Sequence, residues 1–283
     1  MNIYKNECCG ICNGKDFHII ADNNTIRFKC YGYDKKILKC SNCEQVQLIP
    51  PWTENDLNEL YSKYSEKKDF GEQNRIENER LYLDKLINEK DKILEIGCGL
   101  GDNLKRLKKS GYNIVGIDKD PGVCDNILIF NKDYKDLDQT KEKYDFIYSI
   151  HVMEHILNPK VFIRKIIDSL SRKGQFIIEV PNVDDPLLKI YKIKEFNQYY
   201  WYPYHLYFYN KPTLKKLFSK FDDINFTINL SQRYGLKNHL RWLIKKSPGN
   251  NNEKIPLLDI FYTFWLTKIL KVSDTLIVHC EKK

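Results

Sequence analysis

The sequence predicts an α/β protein with a mostly parallel, doubly wound sheet, preceded by a small module stapled by metal. Three observations carry this expectation. Short apolar runs alternate with segments of helical periodicity from about residue 80 onward. One of these runs, Lys92–Ile96, leads into the turn Gly97-Cys98-Gly99-Leu100-Gly101. Six of the nine cysteines fall within the first 43 residues. Strands that alternate with helices pair in parallel and carry the helices on both faces of the sheet.

The chain has 283 residues, enough for one large α/β domain with an appendage. With 42% apolar residues, 14 Phe, 19 Tyr and 4 Trp, it can bury a sizeable core, which excludes global disorder. The longest apolar-rich stretch, residues 255–270, is broken by Asp259, Thr263, Thr267 and Lys268. It falls short of the roughly 20 residues that span a bilayer, so no transmembrane helix is expected. The start of the chain lacks the apolar core of a signal peptide, and a cytoplasmic protein is the expectation. In that compartment cysteines are thiols or metal ligands rather than a disulfide framework. The net charge of +8 comes with lysine spread along the whole chain. Even the densest cluster, Lys105, Arg106, Lys108 and Lys109, reads as a solvated helix face, so charge alone names no partner.

The N-terminal residues justify the metal. Cys9-Gly-Ile-Cys12 and Cys40-Ser-Asn-Cys43 are two Cys-x-x-Cys pairs separated by 27 residues. Each two-residue spacer turns both thiolates toward one ion, and two such turns complete a tetrahedral shell suited to structural Zn²⁺. Cys8 and Cys30 are spare, and either is able to replace a ligand. A hairpin around residues 28–33 fits between the pairs, and Pro50-Pro51 ends the module at about residue 50. Thr53 then caps a connecting helix with Asp56 at its third position and Leu57, Leu60, Tyr61 and Tyr64 at helical spacing. A second helix is expected over 79–89, so residues 51–90 form a helical linker.

From residue 91 the pattern becomes regular. The strand 92–96, the glycine turn and a helix over 102–109 form a unit that brings backbone N–H groups close to an anionic ligand. A second strand, 112–117, ends on Asp118, 21 residues after Gly97, where a doubly wound sheet sets a carboxylate beside a ribose. Further strands are expected at 127–130, 144–150 and 174–180, with a helix over 159–170 between the last two. Another helix is expected over 213–220.

Ile93-Leu-Glu95-Ile-Gly97-Cys-Gly99-Leu-Gly101 resembles motif I of the class I S-adenosylmethionine-dependent methyltransferases. Asp274-Thr-Leu-Ile-Val-His-Cys280 resembles the antiparallel last strand of that family. The resemblance implies a Rossmann-like sheet of seven strands over residues 91–283, with residues 232–270 inserted before the last strand. It also implies S-adenosylmethionine as cofactor. Glu95 would orient the glycine loop and the methionine amino end, and Gly97, Gly99 and Gly101 would line the methionine and ribose. Asp118 would take the ribose hydroxyls with Lys119 beside it. Asp133 and Tyr134 would meet adenine, and His151 would join the cofactor-binding set. A dinucleotide-binding rival is weakened by Asp102, which stands where G-x-G-x-x-G needs glycine.

Methyl transfer often needs a base for the acceptor proton. His151 and His155 follow the fourth strand, and His205 lies in the aromatic segment Tyr199-Tyr-Trp201-Tyr202-Pro-Tyr204-His205-Leu-Tyr-Phe208. Most of those rings read as a hydrophobic lid. Tyr202 and His205 suit a sugar or other polyol, whose C–H face stacks while a hydroxyl loses its proton. Leu38-Lys-Cys40-Ser-Asn-Cys43-Glu-Gln-Val-Gln-Leu48 is similar to the zinc-binding opening of bacterial methyltransferases that act on nucleotide-linked deoxysugars. That likeness implies catalytic roles for Tyr202, His205 and His155. The glutamate those enzymes place before the histidine is Tyr204 here, and their long C-terminal domain is absent. O-methylation of a sugar or surface-glycan precursor, such as a nucleotide-linked sugar, is therefore preferred over C-methylation of a ketosugar. An RNA methyltransferase with a zinc knuckle is the reading from another substrate class. Residues 232–270 fit a cap on the acceptor site, a homodimer face or a peripheral membrane contact.

Overall fold

The apolar runs between residues 92 and 150 form the centre of a parallel sheet. The computed structural model describes residues 7–21, 35–64, 82–119, 129–131, 133–202, 204–247 and 255–283. The chain divides into two units. One comprises residues 1–71, 181–217 and 230–276, and the other residues 72–180, 218–229 and 277–283.

The first unit holds the two Cys-x-x-Cys pairs. Its sheet contains β1 (Phe17–Ala21), β2 (Lys36–Cys40) and β3 (Val46–Ile49), paired antiparallel in succession. Its fourth strand is the short β9 (Tyr207–Phe208), aligned as Val46↔Phe208 and Gln47↔Tyr207. The N-terminal module therefore does not close at residue 50: β3 is buried along its whole length, and its outer edge is satisfied by a segment 160 residues further on. This differs from the expected boundaries, which placed residues 181–217 and 232–270 with the cofactor domain. The hairpin expected at 28–33, and Cys30 with it, lie outside the described residues. Helix α1 (Glu54–Tyr64) starts where expected. The Thr53 N–H donates to Asp56 Oδ2 at 2.9 Å while the Asp56 N–H donates to Thr53 Oγ1 at 3.2 Å, a reciprocal cap.

The second unit begins its described part with a short helix α2 at 82–86, inside the expected 79–89. Its strands are β4 (Lys92–Ile96), β5 (Asn113–Asp118), β6 (Ile129–Asn131), β7 (Tyr144–Ile150), β8 (Leu170–Pro181), β10 (Ile224–Ser231) and β11 (Thr275–Lys282). Their order in the sheet is β10-β11-β8-β7-β4-β5-β6. β4 runs parallel to β5 and β7, β6 parallel to β5, and β8 parallel to β7. β8 is longer than the expected 174–180 because Leu170 already pairs with Tyr144 before an irregularity in the register. The Lys282 ammonium donates to the carbonyls of Ile167 and Leu170, fastening the end of β11.

Helix α3 (Asp102–Lys109) buries Leu104 and Leu107 and turns its lysines outward. Asp102 in its first turn and Arg106, Lys108 and Lys109 in its last complement the helix dipole. Helix α4 (Pro159–Ser169) is capped by Asn158, whose side chain accepts the Val161 N–H at 3.3 Å. Phe162, Ile163, Ile166 and Ile167 are all fully buried, so this helix is held by its apolar stripe. Burial of each such side chain is worth roughly 1.5–3 kcal/mol. Helices α5 (Pro186–Lys189), α6 (Lys194–Tyr200) and α7 (Lys211–Phe218) come later in the chain.

Candidate functional site

The carboxyl ends of β4 and β5 and the segment after β7 meet at the glycine turn. Gly97 has φ 77°, and its N–H donates to the Ile117 carbonyl at 2.8 Å, which ties the turn to β5. A Cβ on Gly97 would stand 2.2 Å from Val152 Cγ2, so no side chain fits between the turn and the segment after β7. Gly99 (φ 51°) has open space where a Cβ would point, and Gly101 (φ 72°) takes the left-handed conformation that starts α3. The Gly99 N–H donates to Asp118 Oδ2 at 2.8 Å. Asp118 therefore shapes the loop as well as standing at the end of its strand. Lys119, next to it, is exposed.

Glu95 is 7% exposed and accepts the Tyr148 hydroxyl proton at 2.9 Å. Tyr148 is the neighbour of Glu95 in the β4–β7 register, so parallel pairing fixes this contact. Asp133 caps a 3₁₀ turn (Tyr134–Thr140) by accepting the Lys135 N–H at 3.0 Å. The Tyr134 ring stands edge-on to Phe162 of α4, with centroids 5.0 Å apart.

His151 adopts a left-handed backbone, φ 55°. Its Nδ1 lies 3.2 Å from Glu154 Oε1 and its Nε2 3.3 Å from Glu179 Oε1, so the imidazole is clasped by two buried carboxylates. Held on both ring nitrogens, the imidazole is fixed in orientation, which suits a positioning role. The Tyr82 hydroxyl bonds the second oxygen of Glu179. His155 Nε2 is 3.9 Å from Glu154 Oε1. Glu154, Glu179 and Tyr148 were not singled out from the sequence. For Glu179 the signal was present as a lone carboxylate inside the apolar run FIIEV.

In the first unit, the aromatic segment divides in two. Tyr200, Trp201 and Phe208 are buried against one another, with Trp201 and Phe208 centroids 4.8 Å apart, which makes them part of a core. Tyr202, Tyr204 and His205 are only partly buried and adjoin, with His205 5.5 Å from the Tyr202 ring and 5.4 Å from that of Tyr204.

A family model for a methyltransferase domain matches residues 70–227, more than half of the chain and all of the glycine-turn site. The chain belongs to this methyltransferase family. It is 28% identical over 105 residues to a ubiquinone biosynthesis O-methyltransferase of Azorhizobium caulinodans, covering 32% of this chain and 40% of that one. It is 26% identical over 110 residues to a tRNA U34 carboxymethyltransferase of Alteromonas mediterranea, covering 32% of this chain and 33% of the relative. The chain thus spans well under half the length of the curated relatives it matches. Among solved structures, an S-adenosylmethionine-dependent methyltransferase from Thermotoga maritima shares the fold. Its TM-score is 0.51 at 13% identity, with 80% of this chain and 100% of that chain covered.

Ahead of the matched methyltransferase residues stands the four-cysteine cluster. The sulfurs of Cys9, Cys12, Cys40 and Cys43 all lie within 4.8 Å of one another. Cys9 and Cys43 are 3.4 Å apart and Cys12 and Cys40 3.6 Å apart. Thiolates bound at ~2.3 Å to a tetrahedral ion stand roughly 3.8 Å apart, so the four fit one metal ion. Cys8 is exposed and stays outside the group. Burial pushes the Cys9 thiol up to about 11. Burial also acts on Cys12, but the Gly14 N–H and the neighbouring sulfurs outweigh it and bring that thiol down to about 7. The N–H of Gly14 and the amide of Asn42 both donate to Cys12 Sγ at 3.4 Å, as donors around a bound thiolate do.

Proposed function

We propose that this chain transfers a methyl group from S-adenosylmethionine to a hydroxyl oxygen of a sugar or related polyol, as in precursors of surface glycans, with a histidine as general base. The observation that carries the methyl-transfer part is the joining of the glycine turn to Asp118 at the carboxyl ends of adjacent parallel strands. The open space at Gly99 and the left-handed turn at Gly101, which aims the first N–H groups of α3 outward, fit a nucleoside cofactor.

When bound, S-adenosylmethionine supplies a methyl group on a positively charged sulfur. The chain supplies the alignment. In this reading Asp118 accepts ribose hydroxyls with Lys119 at its side, and Asp133 and Tyr134 flank the adenine. Glu95, fixed by Tyr148, and His151, clasped by Glu154 and Glu179, hold the methionine end. The acceptor side rests on residues alone. His205 and His155 are the candidate bases. The Tyr202 ring, next to His205, offers a face on which a sugar stacks and a hydroxyl with which to bond it. Cys9, Cys12, Cys40 and Cys43 would hold a structural Zn²⁺, whose four-thiolate shell leaves no open position for catalysis.

The test is transfer of labelled methyl from S-adenosylmethionine into an extract of the source cells, fractionated by size and nuclease sensitivity. Label in the small, nuclease-resistant pool, in a compound that releases a methylated sugar on acid hydrolysis, is the expected result. Label in nuclease-sensitive polymer would replace the sugar with RNA and keep the methyltransferase. Label in a small compound without sugar would overturn the acceptor class.

A further inference from the structure

Helices α8 (Leu236–Lys245) and α9 (Pro256–Phe264), both in the first unit, are built inside out. The inward side of α9 is polar. Buried Asp259 accepts the N–H groups of Leu236 and Ile255, each at 2.8 Å, which pins the start of α8 to α9. The Tyr262 hydroxyl lies 2.6 Å from His239 Nδ1 and 2.7 Å from the Tyr191 hydroxyl. The outward side is apolar: Leu257 is 74% exposed, Ile260 64%, Phe261 71% and Phe264 56%. On α8, His239 and Trp242 are buried, while Leu240, Leu243 and Ile244 face out. The π-helical turn Trp265–Ile269 continues the pattern, with Trp265 and Ile269 exposed and Leu266 buried. Water penalises such an arrangement, and monomers rarely show apolar patches of this kind without a use for them.

Charge decides the occupant. Lys237, Arg241 and Lys245 on α8, with Lys268 and Lys271 beyond α9, are exposed around these apolar side chains. Asp259 is the one acidic residue among the described residues of 236–271, and its carboxylate is engaged inside. We infer that α8, α9 and the turn after them form a docking face for a bilayer surface that carries anionic lipid headgroups. Aromatic and aliphatic side chains enter the acyl boundary while the basic residues meet the headgroups. A second copy fits less well, because a two-fold pairing of this face on itself would bring two sets of cations together. The segment 256–269 is too short to cross a membrane, and no described helix is long and apolar enough to do so, which leaves lying on the surface.

The experiment is co-sedimentation of the full chain with vesicles of phosphatidylglycerol and phosphatidylcholine, and with vesicles of phosphatidylcholine alone. Binding to the anionic vesicles is expected to be at least about tenfold tighter, and to weaken as salt screens the headgroups. The double variant Ile260→Ser with Phe261→Ser changes two exposed side chains. It should keep its circular dichroism and lose about tenfold or more of this binding. The pair Arg241→Glu with Lys245→Glu should abolish the preference for anionic vesicles. Absence of vesicle binding, or equal binding by the Ile260/Phe261 variant, would overturn the inference. So would a lipid-free dimer in sedimentation velocity that the same variant dissolves, since a second copy would then own the face.

Discussion

The backbone N–H of Gly99 and Oδ2 of Asp118 are joined by a 2.8 Å hydrogen bond, so the side chain at the end of β5 also sets the shape of the turn after β4. Two losses can be separated. Asp118→Asn retains an oxygen for the Gly99 N–H but loses the charge, whereas Asp118→Ala loses both. Calorimetric titration with S-adenosylmethionine should show affinity falling about tenfold for Asn and about a hundredfold for Ala, the cost of one and then two hydrogen bonds to a charged group. Unchanged affinity in Asp118→Ala would remove Asp118 from the cofactor site.

Gly97→Ala should be destabilising by about 2–4 kcal/mol, because alanine is strained at φ 77° and its Cβ meets Val152 Cγ2. Adding Val152→Ala should recover the steric part and leave the backbone part. Urea unfolding of the two variants measures this, and no recovery in the double variant would show that the clash is relieved by other means.

Elemental analysis of freshly purified protein should give one zinc per chain, and Cys40→Ser should lower that value severalfold. A strong chelator should lower the melting temperature, since structural zinc contributes directly to folding. Zinc-free protein with an unaltered melting temperature would make the four cysteines ordinary buried thiols.

Asp185 is buried, and burial together with the neighbouring Asp274 raises its carboxyl from 3.8 to about 8. Between those values the folded chain holds a proton that the unfolded chain releases, so this group's stabilisation is complete below about pH 3.8 and is lost as pH rises through about 8. Asp185→Asn is neutral at every pH and keeps an acceptor for the Leu187 N–H. Its stability relative to the parent should therefore climb between pH 4 and 8 and level off above. A flat difference in denaturation midpoints across that range would place the Asp185 carboxyl at its ordinary value.

His205→Ala should abolish turnover and leave cofactor affinity intact, as expected of a base that touches only the acceptor. Retained turnover would return His205 to the aromatic packing around Tyr202 and Phe208 and move the base role to His155.

The local structure around the candidate site was legible wherever a residue type has a backbone reason to be there. The glycines follow from the left-handed turn between β4 and α3. Asp118 follows from its place at the end of the next strand. The helix 102–109 was legible to the residue, because Leu104 and Leu107 recur at helical spacing between a glycine start and a Ser-Gly stop. Contacts between distant segments carried no such signal. Nothing local marks β3 as the partner of β9, nor Glu179 as the far side of a clasp on His151. The outward face of α9 was hidden for a further reason: its apolar side chains repeat at the same period as a buried face, and only the hydrogen bonds of Asp259 and Tyr262 reveal which side is inside.

By itself the sequence determined the order of strands and helices from residue 92 to 180, the cofactor-type turn and the four cysteines, because strand and helix periods, turn glycines and Cys-x-x-Cys spacers are written in consecutive residues. Only the tertiary structure decided that β9 completes the cysteine sheet, that two carboxylates enclose His151, and that the apolar side of α9 faces outward. Each of these depends on burial and pairing between residues far apart in the chain, and such pairings are set by the free energy of the whole fold rather than by any local pattern.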